Sequence, residues 1–134
     1  MTNRTALFAG LCFVFACTNA PTEEGPLVPV TQATSVDGAY SFSLLAPETV
    51  TRGNYVLQYV ITRTATGSAV DDLDLDIVPW MPAMGHGTSQ VPTITGLGNG
   101  MYELDDVDLY MPGLWQLRTT SSGNQLVAPS LQVQ

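Results

Sequence analysis

The chain has 134 residues, enough for one domain with short appendages. Charged residues make up only 12 % of it, and twelve acidic side chains outnumber four arginines, which gives a net charge of −8. Such a chain would repel phosphate backbones and anionic lipid headgroups. We therefore expect no nucleic-acid partner and no electrostatic attachment to a membrane.

The first residues have the composition of an export signal. Arg4 precedes an apolar run over residues 6–16. These eleven residues suit the hydrophobic region of a signal peptide, and they are too few to cross a bilayer as a helix. We therefore predict that the mature protein lies outside the cytoplasm.

The end of this run resembles the lipobox of bacterial lipoproteins. In Val14-Phe15-Ala16-Cys17 a small residue precedes a cysteine, which in lipoproteins becomes acylated. We predict a lipoprotein signal peptide over residues 1–16 and a lipid anchor on Cys17. Cys12 is a poorer acylation site, and an ordinary signal peptide cleaved near Ala20 is the alternative.

The residues after this cysteine bear on membrane placement and redox state. Thr18 follows Cys17, which resembles lipoproteins sent to the periplasmic face of the outer membrane in a Gram-negative host. No cysteine occurs after residue 17, so the mature domain has neither a disulfide nor a thiolate ligand for zinc or blue copper. The domain must be stabilised by its core alone.

The remaining chain divides by composition into a tether and a domain. Residues 17–36 contain three prolines among Glu, Thr, Ser and Gln, and this polar composition predicts a flexible tether. Residues 37–134 show apolar and polar residues in alternation, which is the period of a half-buried strand. The predicted strands are 40–44, 55–61, 73–77, 90–95, 101–111, 114–119 and 126–133.

About seven short strands separated by turn signals predict an immunoglobulin-like β-sandwich, and an open β-barrel is the alternative architecture. Within residues 101–111 the alternation changes parity, because Leu104 and Val107 cannot share a face without an irregularity. We therefore predict a β-bulge or a break at Asp105-Asp106.

The most distinctive stretch is Trp80–Gly87, which holds the only histidine and two of the five methionines. Thioether sulfur and imidazole are the ligands that Cu(I) prefers. We predict Met81, Met84 and His86 as copper ligands, with Met111 as a fourth from a later turn. The alternative is that these methionines fill gaps in the core, as methionine often does.

Three motifs resemble the YtkA-like family of small bacterial extracytoplasmic domains. They are Met81-Pro82-Ala83-Met84-Gly85-His86-Gly87, Gly100-Met101-Tyr102 and Met111-Pro112-Gly113-Leu114-Trp115, in that order, and the resemblance covers residues 60–117. It implies an immunoglobulin-like sandwich, related in shape to periplasmic copper-carrier and oxidase-assembly domains. By position, the resemblance implies that the family's methionines and histidine correspond to Met81, Met84, His86 and Met111.

Other functions have weaker support. Asp72, Asp74 and Asp76 have the opening spacing of a calcium loop, but the glycine and glutamate positions are filled by Ile77 and Ala83, so a solvent-exposed acidic face is expected. A single histidine makes zinc less suitable than copper. No catalytic signature occurs, so we expect no enzyme. A protein-interaction or scaffold domain, such as an accessory subunit of a membrane complex, is the alternative function.

Overall fold

The computed structural model describes residues 25–134, which form a β-sandwich of two antiparallel five-stranded sheets. The ten strands are β1 (Leu27–Thr34), β2 (Tyr40–Pro47), β3 (Gly53–Arg63), β4 (Leu75–Met81), β5 (His86–Gly87), β6 (Thr93–Gly98), β7 (Met101–Leu109), β8 (Gly113–Ser121), β9 (Asn124–Val127) and β10 (Ser130–Val133). The all-β sandwich predicted from the alternation is confirmed. In residues 25–134 no helix is long and apolar enough to cross a membrane.

The two sheets are joined by connections that cross between them. One sheet has the order β1-β2-β3-β7-β6, and the other has the order β10-β8-β4-β5, with β9 also paired to β8. The chain crosses from β3 to β4, from β5 to β6 and from β7 to β8. Neighbouring strands β3 and β7 therefore continue into neighbouring strands β4 and β8 of the facing sheet.

The prediction of a flexible tether over residues 17–36 is wrong from Leu27 onward. Residues 27–34 form β1, which pairs with β2 along its whole length. The hydroxyl of Thr31 donates to the carbonyl of Ser130 at 2.7 Å and so ties this strand to the facing sheet. One proline, Pro29, and several polar residues concealed the strand, because it lies at a sheet edge, where both are tolerated. The predicted signal peptide, residues 1–16, and residues 17–24 lie outside the described residues.

The number of strands exceeds the predicted seven for three local reasons. β1 was not predicted, β5 has only two residues, and the last predicted strand is divided at residues 128–129 into β9 and β10. The predicted bulge is confirmed, since Val107 and Leu104 pair with Tyr55 and Leu57, and Asp106 has a positive φ of 61°.

The core lies between the sheets and consists of the inward residue of each alternating pair. Its largest fully buried side chains are Trp115, Tyr59, Phe42, Leu44, Leu57, Ile61, Ile77, Leu104, Leu109 and Leu117. The only buried polar side chains among the described residues are Ser35 and Thr119. The Thr119 hydroxyl lies 2.9 Å from that of Tyr59 and donates to the carbonyl of Leu117 at 3.1 Å. The sandwich thus keeps its few buried polar groups hydrogen-bonded.

Tyr59 should make the protein sensitive to alkali. Complete burial raises the pKa of Tyr59 above that of an ordinary tyrosine, and the hydrogen bond with Thr119 offsets only part of this. Unfolding above about pH 10, the ordinary tyrosine pKa, therefore releases a proton that the folded state retains. We expect the free energy of unfolding to fall there by up to about 1.4 kcal/mol per pH unit from this residue.

Urea titrations from pH 8 to 11 on the wild type and on Tyr59→Phe check this expectation. The variant should show a shallower loss of stability, and the remaining slope should include Tyr102, whose pKa is also raised by burial. Parallel pH profiles for the two proteins would contradict the assignment to Tyr59.

Candidate functional site

The Met-Pro-Ala-Met-Gly-His segment forms a tight hairpin at one end of the sandwich. β4 ends at Met81, residues 82–85 turn, and β5 begins at His86. The carbonyl of Met81 accepts hydrogen bonds from the amides of Met84 at 3.2 Å and Gly85 at 3.0 Å. Gly85 has a φ of +68°, a conformation that glycine adopts without strain. The loop is therefore shorter than the predicted Trp80–Gly87, and its ends belong to the sheet.

Met81 and His86 are direct partners in the β4–β5 ladder. Directly opposite residues of an antiparallel pair project from the same face of a sheet, with Cβ atoms about 5 Å apart. Met81 is only 3 % exposed and belongs to the core, so His86 lies on the core-facing side of the sheet at its edge. His86 itself is half-buried.

A tyrosine from a different loop covers the histidine. The hydroxyl of Tyr110 lies 3.0 Å from His86 Nδ1 and donates to the carbonyl of Gly87, also at 3.0 Å. The two rings are nearly parallel, 15° apart, with centroids separated by 6.3 Å. Beyond Tyr110, the ring of Trp115 contacts it edge-on at 5.5 Å. The histidine is therefore joined to the core through two aromatic rings.

Met111 lies beside this aromatic group in the connection between β7 and β8. It is half-buried and packs against the core. Its carbonyl accepts a hydrogen bond of 2.9 Å from the indole nitrogen of Trp115. The methyl group of Met81 also reaches this connection, since a Cβ on Gly113 would lie 2.9 Å from it.

The structure thus brings Met81, His86 and Met111 to one end of the sandwich. Met84 is at the same end but lies on the turn and is 53 % exposed, whereas Met81 is closed into the core. The sequence did not identify Tyr110 as part of this cluster, whereas Trp115 belongs to the third of the three motifs. No local sequence signal identified Tyr110, because its partner His86 lies 24 residues earlier in the chain. The two residues meet only because the β7–β8 connection and the β4–β5 hairpin lie at the same end of the sandwich.

The opposite face of the same hairpin has its own packing. Trp80 pairs with Gly87, and the guanidinium of Arg118 lies 4.4 Å from the centroid of the indole ring. A Cβ on Gly87 would collide with the carbonyl oxygen of Pro79 and lie 3.3 Å from the Trp80 ring. Glycine is therefore needed at position 87 so that β5 can approach β4.

Gly87→Ala should separate β5 from β4 and lower the free energy of unfolding by about 1–3 kcal/mol, the usual cost of overpacking. Hydrogen exchange of the Trp80 and Gly87 amides and urea unfolding measure the two effects. Gly96→Ala is the matched control, because Gly96 is also in a strand and nothing lies within 4 Å of an added Cβ. Equal stability of the two variants would contradict the close approach.

The acidic residues do not build a second site. Asp72, Asp74 and Asp76 are exposed, as the sequence predicted, and only Asp76 lies within β4. Nowhere in residues 25–134 do three His, Cys, Asp or Glu side chains lie close enough together to hold a metal ion. A metal site at the hairpin end would therefore require methionine sulfur beside the single imidazole.

The fold and this end together define a class: a small antiparallel β-sandwich domain that carries a tyrosine-bound histidine and three methionines at one end. A family model described as YtkA-like matches residues 34–120, from the end of β1 to within β8. The chain belongs to the YtkA-like family, as the three motifs predicted. Comparisons with curated proteins and with solved structures found no match.

Proposed function

We propose that this protein is a lipid-anchored, extracytoplasmic domain that binds or delivers Cu(I) through the hairpin end. The main support is the ladder pairing of Met81 with His86, with Met111 in the adjoining connection. A shared site is supported because these residues, which carry thioether and imidazole donors, lie at the same end of the sandwich. That donor set fits Cu(I), which prefers soft sulfur and tolerates imidazole.

The four candidate ligands differ in how readily they can reach an ion. His86 is half-buried and Met84 is mostly exposed, so these two need the least rearrangement. Met111 is partly buried. Met81 is almost fully buried, and it would have to turn its sulfur away from the core to bind. We therefore expect His86 and Met84 to contribute most to copper affinity.

The chain enters the sandwich at the end that carries the hairpin. β1 begins at Leu27 opposite Pro47, and β4 ends at Met81 on the same end of the sandwich, as the pairing through β2, β3, β7 and β8 requires. Leu27 is ten positions after Cys17, and an extended chain of that length spans at most about 35 Å. A lipid anchor on Cys17 would therefore tether the sandwich by the end that carries the hairpin.

Anaerobic competition for Cu(I) with a calibrated chelator tests the copper proposal. His86→Ala and Met84→Leu should each weaken binding relative to the wild type. Met101→Leu is the matched control, because Met101 begins β7 at the opposite end of the sandwich. Equal weak affinity in all four proteins would refute copper binding at this end.

Membrane fractionation tests the anchor separately. Cys17→Ser should move the protein from the membrane to the soluble fraction, whereas Cys12→Ser should leave it attached. Unchanged membrane association of Cys17→Ser would rule out acylation at that residue.

A protein-interaction or scaffold domain, for example an accessory subunit of a membrane complex, is the second candidate. The supporting observation is the set of exposed apolar side chains at the hairpin end: Met84, Tyr110 and Leu114 are 53 %, 40 % and 46 % exposed. Exposed apolar patches often mark protein interfaces. Loss of partner capture by Met84→Ala in a protein that binds no copper would favour this candidate.

A further inference from the structure

The hydrogen bonds around Tyr110 determine where the proton of His86 lies. The Tyr110 hydroxyl contacts two groups, His86 Nδ1 and the Gly87 carbonyl, both at 3.0 Å. A phenolic hydroxyl carries one hydrogen, and a carbonyl oxygen can only accept. The hydroxyl therefore donates to Gly87 and must accept from the imidazole for both contacts to be hydrogen bonds.

This arrangement selects one tautomer of the neutral imidazole. If Nδ1 carries the hydrogen, it donates to Tyr110 and Nε2 keeps a free lone pair. If Nε2 carried the hydrogen, the single hydroxyl hydrogen would have to serve both Nδ1 and the Gly87 carbonyl, and one acceptor would lose its bond. Of the two neutral tautomers, only the Nδ1–H form makes both contacts of the Tyr110 hydroxyl hydrogen bonds.

We infer that Tyr110 is a positioning residue, which holds His86 as its Nδ1–H tautomer and presents Nε2 as the nitrogen that binds a metal. The metal-binding part rests on the function proposed above, whereas the tautomer does not. In metal sites generally, a histidine ligand donates its other ring N–H to a neighbouring oxygen, which fixes the tautomer and the ring orientation. Here the neighbouring oxygen is the Tyr110 hydroxyl.

The surroundings of Tyr110 make it suitable for this role although it is 40 % exposed. Trp115, which is fully buried, contacts the tyrosine ring edge-on, and its indole nitrogen holds the carbonyl of the next residue, Met111. The near-parallel stacking of Tyr110 on His86 restricts rotation of the imidazole. Trp115 therefore fixes the Tyr110 ring on the side of the core, and Tyr110 in turn fixes the His86 ring on its opposite side.

Nuclear magnetic resonance of the ¹⁵N-labelled full chain without metal tests the tautomer directly. His86 is the only histidine, so an untagged protein gives one imidazole signal set without assignment. In the neutral ring of the wild type we expect a protonated Nδ1 and an unprotonated Nε2. In Tyr110→Phe, which keeps the stacked ring and removes the hydroxyl, the Nε2–H form should become the major tautomer.

A wild type with a predominantly protonated Nε2, or a tautomer unchanged in Tyr110→Phe, would overturn the inference. Tyr40→Phe is the matched control, since Tyr40 begins β2 at the opposite end of the sandwich, and it should leave the imidazole signals unchanged.

Cu(I) competition supplies the second readout. Tyr110→Phe should bind Cu(I) about 10–100-fold more weakly than the wild type, the usual effect of removing the partner of a histidine ligand. Equal affinities would overturn the assignment of Nε2 as the metal-binding atom. If the wild type itself binds no Cu(I) but shows the Nδ1–H tautomer, the copper proposal fails and the role of Tyr110 in fixing the tautomer is supported.

Discussion

Trp115→Ala should lower the free energy of unfolding by about 3–5 kcal/mol, the usual cost of removing a large buried aromatic side chain. Trp115 is the largest fully buried side chain, lies at the end of the core and pairs with Leu131 of β10. A domain of this size is stable by only about 5–15 kcal/mol, so the variant should lose much of its stability at 25 °C. Residues 18–134 contain no cysteine, so no disulfide within them offsets this loss of stability.

Urea unfolding followed by far-ultraviolet circular dichroism measures this loss without depending on tryptophan fluorescence. Trp80→Ala is the matched control, because Trp80 lies on the outer face of β4 and is only half-buried. Trp115→Phe should cost less than the alanine variant, since it keeps most of the ring volume and loses the indole hydrogen bond to Met111. A Trp80→Ala loss as large as that of Trp115→Ala would contradict the assigned core position.

The sequence predicted the sandwich well where burial is one-sided. In Phe42–Leu44 and in Leu75–Ile77, every second residue is fully or almost fully buried, which is the pattern that a strand with one core-facing side must show. The bulge at Asp105-Asp106 was also predictable, because a change of parity within one strand has few other physical solutions.

Edge strands were less predictable, since their residues bury little surface. β1 has no fully buried residue, and its proline and polar residues are typical of linkers as well as of edges. β5 has only two residues, and its pairing with β4 depends on the absence of a side chain at Gly87. Neither feature gives a periodic signal in the sequence.

The candidate site was predictable in its donors and not in their environment. The residue types alone identified His86 and the methionines as possible ligands. Their exposure was not predictable, because Met81 and Met84 are three residues apart and yet one is in the core and the other on the turn. The hydroxyl that contacts His86 comes from Tyr110, which reaches it only through the folding of β7 and β8.

Gly100→Ala should be the most destabilising small substitution in the opposite end of the sandwich. Gly100 has a φ of +73°, which costs a residue with a Cβ about 1–2 kcal/mol. An added Cβ would also collide with the carbonyl oxygen of Ile61, which accepts a hydrogen bond from Val70. With an overpacking cost of about 1–3 kcal/mol, the total should be roughly 2–5 kcal/mol.

Gly38→Ala separates the two causes. Gly38 has nearly the same φ, +74°, but nothing lies within 4 Å of an added Cβ, so this variant should show the backbone cost alone. The difference between the two variants in the free energy of unfolding, measured with urea, then gives the cost of the collision at Ile61. Equal losses would show that the backbone around Ile61 and Gly100 relaxes without a measurable cost. Because Gly100 is far from the hairpin, the molecules of Gly100→Ala that remain folded should keep the wild-type imidazole signals of His86. Gly100→Ala therefore distinguishes a loss of global stability from damage to the candidate site.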